Sequence, residues 1–406
     1  MRILYVCHRF PFPPKRGGKI RPFNMISHLH QSHEVHVVSL VRSDEEEQEG
    51  KGIAEHCKGF YPCRVSNTVA WAKTLAFGGS AIPASFGYFH SFKMKKQIRA
   101  LLEQYSFDLI FVHCSSVAGY VDWVEGIPKI MDFGDMDSQK WLEYSVFKPF
   151  PLSWVYKLEG IKLERVEKQL ARRFDYSSCT TSAEHQTLVS YQAAKNTFWF
   201  PNGVDATYFH TQEKYDSKQI CFIGRMDYYP NQEGMFEFCE KVWPKLLAKK
   251  PELKLVIVGA NPSDKVRALG DLTNVTVTGS VPDVRPYVLD SALSVAPLNI
   301  ARGTQNKILE SMAMGVPVVC SQQAAGGIDA VENEHMLVAR TSDDYVKAIL
   351  ELTENTEKRK QFSTAGRERV LTNHNWKNSM RRLDELVERC TGEYRMHKLD
   401  NTSVRV

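Results

Sequence analysis

Short runs of β-branched and apolar residues recur along this chain, separated by longer amphipathic stretches, and near the middle the alternation starts afresh. That pattern belongs to βαβ units around a parallel sheet, and its restart calls for two such sheets. In the first half, strands are predicted at 2–7, 34–41, 109–113, 129–132 and 176–180, with helices over about 21–31 and 154–173. Turn formers then cluster in Phe198-Trp-Phe-Pro-Asn-Gly-Val-Asp205, which marks a domain boundary. Beyond it strands are predicted at 219–223, 253–258, 275–278, 293–296 and 316–320. The expected fold is α/β, with two Rossmann-like, doubly wound domains at 1–200 and 201–375 facing a central cleft at the carboxyl ends of their strands. Beyond residue 375 a helix is expected over about 376–388, its apolar residues Trp376, Met380, Leu383 and Leu386 forming one buried stripe, with a frayed tail at 401–406.

Composition narrows the class. With 43% hydrophobic and 24% charged residues over 406 positions, the chain is an ordinary folded protein of two or three domains. No apolar run approaches the ~18 residues a membrane-spanning helix needs. The N-terminus enters a strand without a long apolar segment, so a cytoplasmic location is expected. Nine scattered cysteines with no Cys-x-x-Cys pair are expected to be free thiols. Residues 1–200 hold 25 Lys/Arg against 20 Asp/Glu, while 201–406 hold 27 against 27, so an anionic partner is expected for the first half. Within it, residues 69–99 interleave six aromatics with five cations and no acid, the composition of a peripheral contact with an anionic membrane surface on the inner face of the cell membrane. The competing reading packs those aromatics under the first domain and leaves the lysines as a solvated helix face.

Three stretches carry candidate chemistry. The loop Pro11-Phe-Pro-Pro-Lys-Arg-Gly-Gly-Lys19 sets Gly17 and Gly18 before a helix N-terminus, where backbone N–H groups can meet a phosphate, although the spacing matches no P-loop. After the first strand of the second half comes Gly224-Arg225, followed by Asn231; a guanidinium there suits a diphosphate, and a surface ion pair is the alternative. The third stretch runs Ala296-Pro-Leu-Asn-Ile-Ala-Arg-Gly-Thr-Gln-Asn-Lys-Ile-Leu-Glu310, with a helix beginning near Gln305.

Leu309-Glu-Ser-Met-Ala-Met-Gly-Val-Pro-Val-Val319, with Gly224-Arg225, Pro201-Asn-Gly-Val-Asp205 and the Gly17-Gly18 loop, resembles the retaining GT-B glycosyltransferases that use nucleotide sugars, the family 4 type. Asp132-Phe-Gly-Asp-Met-Asp-Ser-Gln-Lys-Trp141 and Ala301–Lys307 resemble the sugar transferases of bacterial exopolysaccharide clusters. The resemblance implies that Glu310 accepts the donor's ribose hydroxyls and that Arg225, Gly303, Thr304, Gly17 and Gly18 surround its diphosphate. It places His113 near the transferred sugar as an orienting donor, and it implies that the C-terminal helix within residues 376–406 packs back on the first domain. Two departures stand out. Arg302 occupies a position where relatives carry glutamate, and Asn231 one where they carry lysine, so Arg302 or Lys307 is expected to supply the missing cation.

Asp132, Asp135 and Asp137 are read as an acid cluster facing sugar hydroxyls, and His28, His30, His33 and His36 as unsuited to a metal. Neither a metal nor any other cofactor is expected. The implied reaction is retaining transfer from a nucleotide diphosphate sugar to a hydroxyl of a lipid-linked glycan. The rivals are a sugar-nucleotide epimerase of the same architecture and a non-catalytic nucleotide-sugar binder. A dehydrogenase lacks its Gly-x-Gly-x-x-Gly here, and no nucleic-acid motif accompanies the modest charge.

Overall fold

The computed structural model describes residues 1–14, 17–211 and 216–403, and divides into two compact units. The first comprises Met1–Phe200 with Ser379–Val406, the second Pro201–Asn378.

The first unit is built on a seven-stranded, wholly parallel sheet: β1 (Arg2–Cys7), β2 (Glu34–Val41), β3 (Gly59–Arg64), β4 (Leu109–His113), β5 (Lys129–Gly134), β6 (Tyr176–Cys179) and β7 (Thr197–Trp199), in the order β3-β2-β1-β4-β5-β6-β7. β1 and β4 are nearly unbroken apolar runs because helices cover a parallel sheet on both faces. Around it lie α1 (Gly17–His30), α2 (Asn67–Gly78), α3 (Phe92–Gln104), α4 (Asp137–Phe147) and α5 (Leu152–Arg173). The strands at 59–64 and 197–199 escaped the sequence reading. The first carries a proline and is only partly buried, and the second is three residues long, so neither shows a strong apolar period.

The second unit has a six-stranded parallel sheet: β8 (Asp216–Ile223), β9 (Lys254–Val258), β10 (Val275–Gly279), β11 (Ser291–Ala296), β12 (Val318–Ser321) and β13 (Leu337–Ala339), in the order β10-β9-β8-β11-β12-β13. Its site-bearing helices are α6 (Tyr229–Glu237), which follows β8, and α7 (Asn306–Ala313), which follows β11. In each sheet the strand order reverses once, between β1 and β4 and between β8 and β11; such switch points are where doubly wound sheets open a crevice for ligands.

α8 (Trp376–Ser403) starts in the second unit and belongs to the first from Ser379 onward. Of its predicted stripe, Met380, Leu383 and Leu386 are buried and Trp376 is half-buried. Polar contacts fasten the same helix to the first unit: His28 Nε2 lies 2.9 Å from Asp384 Oδ1, and the Tyr176 hydroxyl donates to Glu393 Oε1 at 2.7 Å. The helix continues to Ser403, past the predicted start of the tail; residues 404–406 of that tail lie outside the described residues. All nine cysteines are buried free thiols, in line with the sequence reading.

Candidate functional site

Strand register assembles the first cluster. His113 ends β4 beside Asp132 on β5, and Asp132 pairs in turn with Ser178 on β6, so three polar side chains line up at the carboxyl ends of neighbouring strands. Asp132 is fully buried. It accepts hydrogen bonds from Arg21 Nε (3.0 Å) and Nη2 (2.9 Å), from His113 Nδ1 (2.8 Å) and from Ser178 Oγ (2.8 Å). Burial alone would raise its pKa, but the Arg21 charge and the His113 and Arg21 hydrogen bonds overcome that and hold the carboxyl well below the usual range. An ionised carboxylate only accepts, so His113 must carry its proton on Nδ1, which leaves Nε2 for a ligand. Arg21 is itself anchored, donating to the Phe200 carbonyl at 3.0 Å and lying 3.8 Å from that ring's centroid.

This corrects the acid-cluster expectation for Asp132. Asp132 faces no sugar hydroxyl, because all its acceptor capacity is spent internally. Asp135 accepts from Thr180 Oγ1 at 2.8 Å and is half-buried. Asp137 opens α4, and burial pushes its carboxyl up, Lys140 pulling it back and Asp135 adding to the rise. Arg21 was missed because an arginine within a helical period reads as a solvated position. Gly17 and Gly18 form the first turn of α1, and Lys19 beyond them is tied to Glu46 at 2.8 Å. Lys15 and Arg16 lie outside the described residues.

The second cluster gathers around the β8–α6 turn and α7. Asn231, buried in the first turn of α6, donates from Nδ2 to the Arg225 carbonyl at 2.7 Å and accepts on Oδ1 from Lys307 Nζ at 2.5 Å. The same ammonium lies 4.8 Å from the Phe222 ring centroid. Gly224 makes the approach possible, since a Cβ there would fall 2.8 Å from Asn231 Nδ2 and 3.3 Å from Lys307 Nζ.

Lys307 and Glu310, three residues apart on α7, share one face. Burial pushes the Glu310 carboxyl up to about 7 against the pull of the Lys307 charge, and pushes Lys307 down to about 7 against that of Glu310. Both side chains keep part of their surface open. The loop ahead of α7 bends through Gly303 at φ +63°, and the Thr304 hydroxyl is buried without a hydrogen-bond partner. Arg302 is half-buried, and its carbonyl accepts from Gln305 Nε2 at 3.0 Å. Arg225 forms an ion pair with Asp227 through two contacts, one of them Nε to Oδ1 at 2.9 Å. Partly exposed pairs of this kind are worth about 1 kcal/mol or less, so this one opens at little cost.

Two family profiles match, Glycosyltransferase Family 4 over residues 16–208 and Glycosyl transferases group 1 over residues 217–355. A 44.6 kDa protein of the cps region of Klebsiella pneumoniae is 18% identical over 394 residues, covering 89% of this chain and 93% of that protein. TuaC of Bacillus subtilis, named for a glycosyltransferase of teichuronic acid biosynthesis, is 31% identical over 128 residues, 30% of this chain and 29% of that one. Among solved structures, HepE of Anabaena in complex with UDP matches with a TM-score of 0.69 at 14% identity, over 96% of this chain and 100% of that one. TarM matches with a TM-score of 0.70 at 12% identity, over 95% and 98%. At such identities the structures establish the fold, two Rossmann-like domains of the GT-B type, and the profiles establish the family. With these matches running from residue 16 to residue 355, the chain belongs to the GT-B glycosyltransferases and is a sugar-transferring enzyme.

Proposed function

We propose that this enzyme transfers a glycosyl unit from a uridine diphosphate sugar to a hydroxyl of a lipid-linked glycan during bacterial polysaccharide synthesis, with retention of anomeric configuration, at the inner face of an anionic membrane. The observation that carries the donor half is the Lys307–Asn231–Glu310 group, a cation and a carboxylate left short of full compensation on one helix face. HepE, solved with UDP, and the cps-region and teichuronic acid relatives supply the nucleotide and the polysaccharide context.

In this reading Glu310 accepts the two ribose hydroxyls. Lys307 takes over the cationic role that Asn231 cannot fill, because its Nζ already rests on Asn231 Oδ1. Arg225, Arg302, the Gly303–Thr304 amides and the unpartnered Thr304 hydroxyl receive the diphosphate. During transfer the anomeric carbon–oxygen bond to the β-phosphate breaks and a bond to the acceptor oxygen forms. The acceptor's proton leaves with the diphosphate or to solvent. Charge builds on the departing oxygen, so preorganised cations and amides supply most of the acceleration. His113, its Nδ1 proton fixed by Asp132, orients the transferred sugar through Nε2, and Asp135 and Asp137 take the acceptor's hydroxyls.

A thermal-shift panel of UDP-, GDP- and ADP-sugars tests this. A donor at a hundred times its dissociation constant stabilises by ~2.7 kcal/mol, and UDP-sugars are expected to give the largest rise. Product analysis then decides the rest: donor alone converted to an epimeric sugar nucleotide would make the enzyme an epimerase, and binding with neither hydrolysis nor transfer would make it a binder.

A further inference from the structure

Helices α4 and α5 pack together as a hairpin, held from within by Trp141 against Tyr156 (ring centroids 4.9 Å apart) and by Gly160, where a Cβ would lie 2.7 Å from Leu142 Cγ. Its outer side is different. Between residues 146 and 161, Val146 (80% exposed), Phe150 (83%), Trp154 (63%), Val155, Leu152 and Ile161 all reach solvent. Scattered exposed apolar side chains are normal, but the described residues of the second unit show only Tyr208, Tyr228, Leu272, Val331 and Leu371 spread over its length.

Charge says what this surface meets. The charged residues of the 146–161 segment are Lys148, Lys157 and Glu159, and the one acid is buried, its carboxylate accepting from the backbone N–H groups of Ala84 (2.8 Å) and Ser85 (2.9 Å). Those bonds, with Lys162 Nζ donating to the Gly78 carbonyl at 3.0 Å, fasten α5 to the end of α2 and the segment after it. α2 adds Val69, Trp71 (61% exposed) and Leu75 (79%), and α3 the exposed Lys93, Lys95, Lys96 and Arg99. In residues 69–99 themselves, Phe77, Phe86, Tyr88 and Phe89 are half-buried, so that segment alone offers few rings.

We propose that the α4–α5 hairpin, with α2 beside it, seats its apolar side chains at the headgroup boundary of an anionic lipid leaflet. Rings and aliphatic chains enter the interface while lysines stay at phosphate level, which is how peripheral surfaces combine apolar burial with attraction to anionic lipid. The purpose of docking rests on the lipid-linked acceptor proposed above; the docking itself needs no acceptor.

The test uses the full chain with phosphatidylcholine vesicles, with and without phosphatidylglycerol, free of any glycan lipid. Wild type should bind the anionic vesicles about tenfold more tightly than the neutral ones, and less tightly at high salt. Phe150→Glu with Trp154→Glu should reduce that binding about tenfold while transfer to a soluble acceptor analogue stays at the wild-type rate. Lys157→Glu, which spares the apolar set, should lower binding to anionic vesicles only. Equal binding of wild type to both vesicle types, no binding to either, or a double variant that binds as wild type does would overturn the proposal. So would a wild-type dimer whose mass halves in the double variant, because the surface would then belong to a second copy. Docking without transfer to a lipid-linked acceptor would instead count against the acceptor reading alone.

Discussion

The two units each set an acid beside a base at the reversal of strand order, and they treat the pair in opposite ways. In the first, Asp132 is saturated: Arg21, His113 and Ser178 occupy both oxygens, and the charge is neutralised within the fold. In the second, Lys307 and Glu310 are displaced toward neutrality by burial, and the ammonium has Asn231 in place of a carboxylate. The first arrangement is a finished scaffold that holds a histidine. In the proposed reading, the second keeps unspent charge for the donor, which supplies the missing partners on binding.

Breaking the scaffold should have the largest effect. Asp132→Ala strands the Arg21 charge in the interior, and losing one partner of a buried pair costs ~3–5 kcal/mol. Chemical denaturation should show that loss; a variant within ~1 kcal/mol of wild type would mean that Asp132 does not hold Arg21 and His113 in place.

On the other side, Glu310→Ala should leave the fold intact and weaken UDP-sugar binding by about tenfold or more, equivalent to ~1.4 kcal/mol. Calorimetry on a variant that melts like wild type decides this, and unchanged affinity removes the ribose assignment.

The source of the replacement cation sharpens the comparison further. Lys307→Met should weaken donor binding more than Arg302→Ala, which is itself expected to lower binding or turnover about tenfold. The reverse order would shift the role to Arg302.

The smallest effect is in the pH profile. In the proposed reading, donor affinity needs Lys307 protonated, which is lost as pH rises through about 7, and Glu310 ionised, which is lost as pH falls through about 7. Affinity should therefore peak near neutrality and fall a few-fold on either side, the apparent midpoints belonging to the pair. In Glu310→Gln the acid limb should vanish while the alkaline limb remains.

Much of the fold was legible because parallel strands buried on both faces write themselves as apolar runs. The Glu310 helix and its glycine-bearing loop were legible as well, since their residue types repeat a family pattern over a contiguous stretch. Asn231 and Lys307 illustrate the limit. Each could be singled out, one as a departure and the other as a candidate cation, but 76 positions separate them and nothing in either segment says that they touch. The misread Asp132 shows the same limit, because an acid at a strand end looks alike whether it faces solvent or an arginine 111 positions earlier.

What the chain determined by itself is local: which runs become strands, where turns interrupt them, and that the sequence restarts after the turn at residues 198–205. Tertiary structure decided the polar partnerships, because those depend on register. Pairing β4 with β5 and β5 with β6 lines up His113, Asp132 and Ser178, and a shift of one residue would turn each side chain to the opposite face of the sheet.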